Sequence, residues 1–552
     1  MQILICAYIV ANMKQLLLLF IFTIAVGQHS DAQTLTSSDL PIVVITTPAG
    51  QQILDDPRIV CHMGIIDNGP GNTNNTTDPF NDYDGRIEIE IRGSTSQQYP
   101  KKGYGFETQD SLGIKLNYPV LGMGAENDWI LYGPYPDKTL IRNVLTFDLA
   151  RKMGHYAPAT RYCELKINNE YRGVYIMMDR IKRDNDRVDI ENIHIPNVWD
   201  DTITGGYIFK VDKLTGDVDY SWTSNYNNEV VFQFHDPEYF ELNSIQSSYA
   251  ENFINDFETT MNSPGFADPN TGYPSIIDRT SFQDFFILQE LGRTVDGYRS
   301  SSFLYKDRDG FSWNAPLTAG PMWDFNLSFG NADYCDADLT TGWQYNFDDI
   351  CGNFSTSIPF WWERFLEDPA YANSLKCRWN ELREGPLHTD SINHFIDSVA
   401  LHIEDARIRN FQKWPIIGVY VNWNGFVGQT YQEDLDYLKT YIEQRSIWID
   451  NNIPGNCNLA TPQLDFIPEY HKVWPNPTSN NVTVGLSIFD YSDVSISLID
   501  NTGRIITIDE KGNHPPGTHA FQLNLEGLQS GPYFYHVILN GKRIYQGKIM
   551  KQ

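Results

Sequence analysis

The sequence predicts an α+β core followed by a small all-β sandwich, and three patterns carry that prediction. Arg86-Ile-Glu-Ile-Glu-Ile-Arg92 alternates strictly, so Ile87, Ile89 and Ile91 share one face of a strand. Ile141, Leu145 and Leu149 recur every four residues, the spacing of one face of a helix. Near the end the period returns to two: Val482, Val484 and Leu486, then Val494, Ile496 and Leu498, then Tyr533, Tyr535 and Val537.

At the N-terminus, Lys14 precedes an apolar run from Leu16 to Val26, and Ser30-Asp31-Ala32 stands before Gln33. A basic region, a short apolar run and a small-x-small site make residues 1–32 a signal peptide starting at Met13, against a buried N-terminal helix as the plainer reading. Cleavage leaves about 520 of the 552 residues, enough for more than one domain. No later stretch is long and apolar enough to span a bilayer. The mature chain is therefore expected to be secreted or cell-surface attached after export through the periplasm.

Residues 33–84 read as an N-terminal β segment. Gly93-Ser-Thr-Ser-Gln-Gln-Tyr99 is a polar turn between the strand ending at Arg92 and a second strand over residues 101–107. Such a turn is commonly a hairpin loop, and it can also lie over phosphates through its N–H groups. A helix follows over 139–153, with Gly154 as its stop. Strands come next at 161–167 and 173–178, joined by Asn168-Asn169, and at 205–212. Ser281-Phe-Gln-Asp284 caps an apolar helix running to Leu291. A hairpin pairs 302–306 with 316–323, and amphipathic helices cover 390–414 and 431–451. These elements make one domain over 85–456. A linker at 457–472 leads to the β module at 473–552, with turns at Asn501-Thr-Gly503 and Asn540-Gly541.

The net charge of −29 argues against nucleic acid as a partner. A phosphate-bearing ligand would need a local basic patch, for which Arg92, Lys101, Lys102, Lys210 and Lys213 are candidates; solvated surface charge is the plain alternative for each. Six cysteines follow the signal peptide, none at zinc-ligand spacing, and an exported chain permits disulfides. The expected pairs are Cys335–Cys351 and Cys377–Cys457. Asp82-Tyr-Asp-Gly85 fails as a calcium loop because Phe80 and Ile91 stand where the first and last ligands belong. The chain has no Gly-x-Ser-x-Gly elbow and no His-Glu-x-x-His motif.

The chemistry concentrates in two stretches, Thr294-Val-Asp-Gly-Tyr-Arg-Ser-Ser-Ser302 and Gly320-Pro-Met-Trp-Asp-Phe-Asn-Leu-Ser-Phe-Gly330. Asp296 and Asp324 flank the hairpin, a layout that can hold one carboxylate at an attacking hydroxyl and another on a metal. Magnesium suits such a site, since it takes one or two protein carboxylates and leaves its other positions to phosphates and water. The plain alternative has both aspartates capping turns.

Five ordered motifs resemble the spore-coat-protein-H (CotH) family of atypical, kinase-like proteins. They are Arg92-Gly-Ser-Thr-Ser96 with Lys101-Lys102, Leu140-Ile-Arg-Asn143, Asn169-Glu-Tyr-Arg-Gly-Val-Tyr175, Gly205-Gly-Tyr-Ile-Phe-Lys210, and the 321–330 stretch. Residues 473–552 resemble the C-terminal sorting domain of the type IX secretion system, through Trp474-Pro-Asn-Pro-Thr478, Leu528-Gln-Ser-Gly-Pro-Tyr-Phe534 and the basic end Gly547-Lys-Ile-Met-Lys-Gln552. A carbohydrate-binding or adhesive β module is the competing reading of that segment.

The first resemblance implies a bilobal, protein-kinase-like fold that uses ATP and Mg²⁺. Under it Ser94 and Ser96 cover the phosphates, Lys102 and Lys210 neutralise them, and Met178 lies at the adenine hinge. Asp296 is the base, and Asp324 binds magnesium with Asn326 in support. Ser301 stands where an asparagine would help hold a second metal, and the helix at 139–153 offers Asp148 but no glutamate to partner the lysine. Three functions compete: an exported kinase acting on serine or threonine of a protein substrate, an AMP transferase, and a non-catalytic surface or adhesion protein. The second resemblance implies the type IX machinery as a partner.

Overall fold

The computed structural model describes residues 34–215, 218–310, 314–352, 355–457, 471–488, 492–500, 504–514, 517–539 and 542–552. The signal peptide read at 1–32, most of the linker, and the turns at 501–503 and 540–541 lie outside the described residues. The chain divides into two compact units, Met1–Pro454 and Gly455–Gln552.

The first unit opens with a closed barrel of seven strands: β1 (Ile42–Thr46), β2 (Ile59–Ile66), β3 (Asp84–Arg92), β4 (Gly103–Gln109), β5 (Asp128–Tyr132), β6 (Thr160–Ile167) and β7 (Glu170–Asp179). Their order is β1-β2-β3-β4-β5-β7-β6, closed where β1 runs parallel to β6 with Val43 opposite Leu165. The alternation in β3 has its predicted meaning, since Ile87 and Ile89 are fully buried with Val43, Met63, Leu131 and Met177 inside the barrel. The expected α+β core followed by an all-β unit is present, and within the core the strands close on themselves, because the 33–84 segment contributes β1 and β2. Closure pairs every strand on both sides and removes the exposed edges. The boundary read at residue 84 falls at the first residue of β3.

Alternate residues of β5 and β7 point outward, so Ile130, Val174, Ile176 and Met178 join the main core with α1 (Arg142–Lys152). Beyond it lies a five-stranded antiparallel sheet of β8 (Tyr207–Val211), β9 (Ser221–Thr223), β10 (Val231–Asp236), β11 (Ser302–Lys306) and β12 (Leu317–Ala319), in the order β9-β10-β8-β11-β12. The predicted hairpin is β11–β12, in register with Leu304 opposite Ala319. The helices α2 (Ser244–Asn262), α3 (Arg279–Gly292), α4 (Trp361–Leu366), α5 (Pro369–Glu384), α6 (Thr389–His402), α7 (Glu404–Lys413) and α8 (Tyr431–Asn452) contribute to the same core. Its centre is aromatic: Phe282, Phe285, Trp361, Trp362 and Trp379 are all but inaccessible.

In the second unit a three-stranded and a four-stranded sheet bury Val482, Val484, Leu486, Ile496, Leu498 and Val537 in one core, as the period-two runs predict. Cys335 and Cys351 form the expected disulfide, and Cys377 and Cys457 are each disulfide-bonded. Cys61 and Cys163 are buried thiols.

Candidate active site

Asp324 lies in the turn that leaves β12. Its backbone is left-handed (φ 65°), a conformation that aspartate tolerates better than most side chains but that still needs support. Neighbouring elements supply that support. The Phe325 N–H donates to Asn143 Oδ1 at 2.7 Å, Arg142 Nε donates to the Ser328 carbonyl at 3.0 Å, and the Phe329 N–H donates to the Gly292 carbonyl at 2.6 Å. Arg142 is held in turn by Asp137 at 2.6 Å. The Leu140–Asn143 motif therefore acts as a clamp on the Asp324 turn. Asn143→Ala should leave a buried N–H unpaired at a cost of about 1–3 kcal/mol, read as a lower melting temperature.

Asp296 follows the end of α3. Arg293 reverses the chain with φ 45°, the Gly297 N–H closes a turn on the Thr294 carbonyl at 2.8 Å, and the Ser300 N–H donates to the Asp296 carbonyl at 2.9 Å. The loop is tied to the core by the Tyr298 hydroxyl, which donates to Glu290 Oε1 at 3.0 Å. Glu290 is itself paired at 3.1 Å with Arg445, both fully buried.

The two carboxylates come together electrostatically. Burial raises Asp324 to about 6, and the negative charges of Asp296 and Asp212 push it the same way, while Lys213 and Arg92 oppose them. Burial also raises Asp296, against the attraction of Arg299 and Lys213. Among the described residues no hydrogen bond or ion pair engages either carboxylate group. Arg92 is lowered to about 10 by burial and by Arg180; its guanidinium lies 5.5 Å from the Trp323 ring centre and makes no hydrogen bond or ion pair among these residues. Lys213 donates to Thr95 Oγ1 at 3.3 Å, which ties the end of the sheet to the Gly93–Ser96 turn. The result is a half-buried group of three acids and two cations, drawn from the end of β3, the segment after β8, the α3–β11 loop and the β12 turn.

The remaining expected residues are spread over several elements. Ser94 and Ser96 are exposed, Ser94 just before and Ser96 within a one-turn 3₁₀ helix, Thr95–Gln98. Lys210 stands 3.6 Å from Asp212. Asn326 shares the Asp324 turn, and its carbonyl accepts from Asn331 Nδ2 at 2.8 Å. Lys102 folds back onto the Gln97 carbonyl, and its neighbour Lys101 is buried, donating to the Val174 carbonyl at 2.5 Å and to Asn410 Oδ1 at 2.8 Å. Met178 is buried in the main core. Neither lysine is among the charges that act on Asp324; Arg92 and Lys213 are. Sequence reasoning named Lys213 only as a member of a basic patch and Arg92 as that and as the head of the Arg92–Ser96 motif, with no role for either opposite Asp324, and it gave no role to Asp212 or Arg299. The available signal was their position, Asp212-Lys213 directly after a strand and Arg299 three residues past Asp296.

The group fits a metal that arrives with phosphates and does not fit a standing protein cage. Among the described residues no three acidic, histidine or cysteine side chains are close enough to hold a metal ion together. Magnesium is commonly bound by one or two carboxylates plus phosphate oxygens. Asp324, unbonded and pressed by like charge, has the chemistry of such a ligand.

No curated protein is similar to the chain. A solved structure of Pseudomonas fluorescens alkylpurine DNA glycosylase AlkC bound to DNA containing an abasic site analog is 11% identical over 35% of this chain, with a TM-score of 0.13. The chain spans about half of that structure (52%), and a score so low carries no common fold. Residues 472–552 match the secretion system C-terminal sorting domain, which directs the chain to the secretion machinery and marks it for the cell surface or the medium. Among the described residues no helix is long and apolar enough to cross a membrane. Residues 89–449 match the CotH kinase protein family over more than half of the chain, and the protein belongs to that family.

Proposed function

We propose that the protein is an exported protein kinase that transfers the γ-phosphate of ATP to serine or threonine hydroxyls of a protein substrate, on an atypical kinase-like scaffold. The observation that carries this reading is the convergence of Asp296 and Asp324, 28 positions apart in sequence, on one group with Arg92 and Lys213. Arg92 and Lys213 face two carboxylates that carry no hydrogen bond or ion pair among the described residues, a balance of charge that suits a triphosphate with its cation.

Arg92, stacked on Trp323, offers its N–H donors to phosphate oxygens, and Lys213, hydrogen-bonded to Thr95 of the Gly93–Ser96 turn, adds a second charge. Asp324, with Asn326 beside it, would hold magnesium, which when bound neutralises charge on the β- and γ-phosphates. Asp296 accepts the proton of the substrate hydroxyl as its oxygen bonds to the γ-phosphorus and the bond to the bridging β–γ oxygen breaks, releasing ADP. Arg299 draws the Asp296 carboxylate toward its charged, basic form. Ser94, Ser96 and Lys210 line the approach to the phosphates.

Asp324 must be ionised to bind a cation, and its raised value of about 6 sets the acid limit. Transfer activity is expected to be flat near pH 7.5 and to fall about tenfold per pH unit below about 6, checked by initial rates at Mg²⁺ well below saturation, where proton and cation compete for the carboxylate. The reading itself is tested with ATP labelled at the α or the γ position. Incorporation of γ label that Asp296→Ala and Asp324→Ala both lose supports it. Label from the α position points to AMP transfer, and no label from either overturns a catalytic function.

A further inference from the structure

A large cavity of the first unit lies at the opposite end of β3 from the catalytic group. It is an open groove of about 960 Å³ formed by the ends of β1 to β4 and the segment before β3. From Arg86, which lines it, to Arg92 at the phosphate site is six residues of strand, about 20 Å. One strand therefore spans two separate places.

Three features describe what would fit the groove. First, its floor carries an aromatic platform. A Cβ at position 64 would lie 2.5 Å from ring atoms of Phe80, so glycine there lets the ring lie flat on the strand backbone. The His62 ring centre is 5.9 Å from that of Phe80. Second, the wall is acidic. Asp82, Asp84 and Asp110 line it against Arg86 as the one permanent cation among the lining residues. Arg86 Nε is committed to Gln109 at 2.7 Å, and His62 is paired with Asp84 at 2.8 Å. Neither Asp82 nor Asp110 has an ion-pair partner among the described residues, and burial with the charge of Asp67 holds Asp82 above the ordinary carboxylate range. Third, the rim is greasy: Leu116 lines the groove, and beside it Leu112 (82% exposed) and Ile114 (61% exposed) stand in solvent on the same tight turn.

An aromatic face beside carboxylates, of which Asp82 and Asp110 accept only backbone N–H groups and carry no ion pair among the described residues, selects a cation, and apolar side chains at the rim select apolar neighbours of that cation. The size and openness of the groove suit an extended chain more than a single amine. The geometry points to a docking groove for a protein segment that alternates lysine or arginine with aliphatic residues. The occupant binds without nucleotide, so the groove stands or falls apart from the catalytic reading.

The test uses the full mature chain and a fluorescein-labelled peptide of three Lys-Leu repeats, read by anisotropy. Saturable binding is expected, weakened at least about tenfold by Asp84→Lys and by Phe80→Ala, and unchanged by Asp324→Asn. Asp84 is exposed (60% of its side chain), so reversing its charge leaves the barrel core untouched. Added salt should weaken binding further. Four outcomes overturn the inference: no saturable binding; binding that ignores both groove variants, the sign of diffuse attraction to a chain of net charge −29; equal affinity for spermidine, which would make the site one for free polyamines; or preference for a neutral oligosaccharide.

Discussion

Asp324→Asn is expected to abolish phosphate transfer while making the folded protein more stable. Asparagine keeps the size of the side chain and its tolerance of the left-handed backbone, but it removes the charge. In the folded protein that carboxylate sits at about 6 against an ordinary 3.8, raised by burial and by its neighbours Asp296 and Asp212. A raised carboxylate value means that ionisation opposes folding, so its stabilising contribution is complete below pH 3.8 and disappears as pH rises through about 6. At pH 7.5 the whole penalty is present, at most about 2–3 kcal/mol and less once the half-open site is screened by water. Asn relieves it. The variant should melt higher than the parent at pH 7.5, with no gain at pH 4, and its transfer rate should fall by about a thousandfold or more, the scale for loss of charge stabilisation in phosphoryl transfer. A variant that both melts lower and loses activity would show that Asp324 serves the fold.

The second large effect lies behind the Asp296 loop. Arg445→Met removes the guanidinium that meets Glu290 at 3.1 Å and also donates to the carbonyls of Glu290 (2.7 Å), Thr340 (3.1 Å) and Gly342 (2.6 Å). Glu290 would keep the N–H groups of Gln344 and Tyr345 and the Tyr298 hydroxyl, but its charge would stand alone in the core. Stranding one member of a buried pair costs about 3–5 kcal/mol. Burial already raises Glu290, with Arg445 the main restraint, so losing Arg445 raises it further. The destabilisation should therefore grow as pH rises through that higher value and shrink toward acid, as thermal melts at pH 5 and pH 8 would show. Adding Glu290→Gln to the variant should recover part of the loss, because the stranded charge is gone. Activity should fall in the single variant even well below its melting temperature, since Tyr298 anchors the Asp296 loop through Glu290.

Much of this architecture is legible in the sequence, for local reasons. Ile87 and Ile89 reach the barrel interior because a strand's alternation needs no distant information, and the runs around Val484, Ile496 and Val537 build the second unit the same way. The pair Asp296 and Asp324 is legible from motifs on either side of one hairpin. Barrel closure is not, because the parallel pairing of Val43 with Leu165 joins segments more than a hundred residues apart. The lysines show the limit at its sharpest. Lys101 and Lys102 are adjacent, and which one enters the core depends on a register that reverses at every residue. Lys101 is buried against Val174 and Asn410, and Lys102 closes the preceding turn. The cations facing Asp324 come instead from Arg92 and Lys213, at the ends of two strands in different sheets, and no motif couples them. Asp212 and Arg299 escape for the same reason.

Calorimetric titration of the mature protein with ATP, in the presence and absence of Mg²⁺, tests the central claim most directly. The account predicts uptake of one nucleotide that depends on magnesium, is lost in Asp324→Asn and is weakened at least about tenfold in Arg92→Ala. No uptake with magnesium present, or uptake that neither substitution changes, would contradict it.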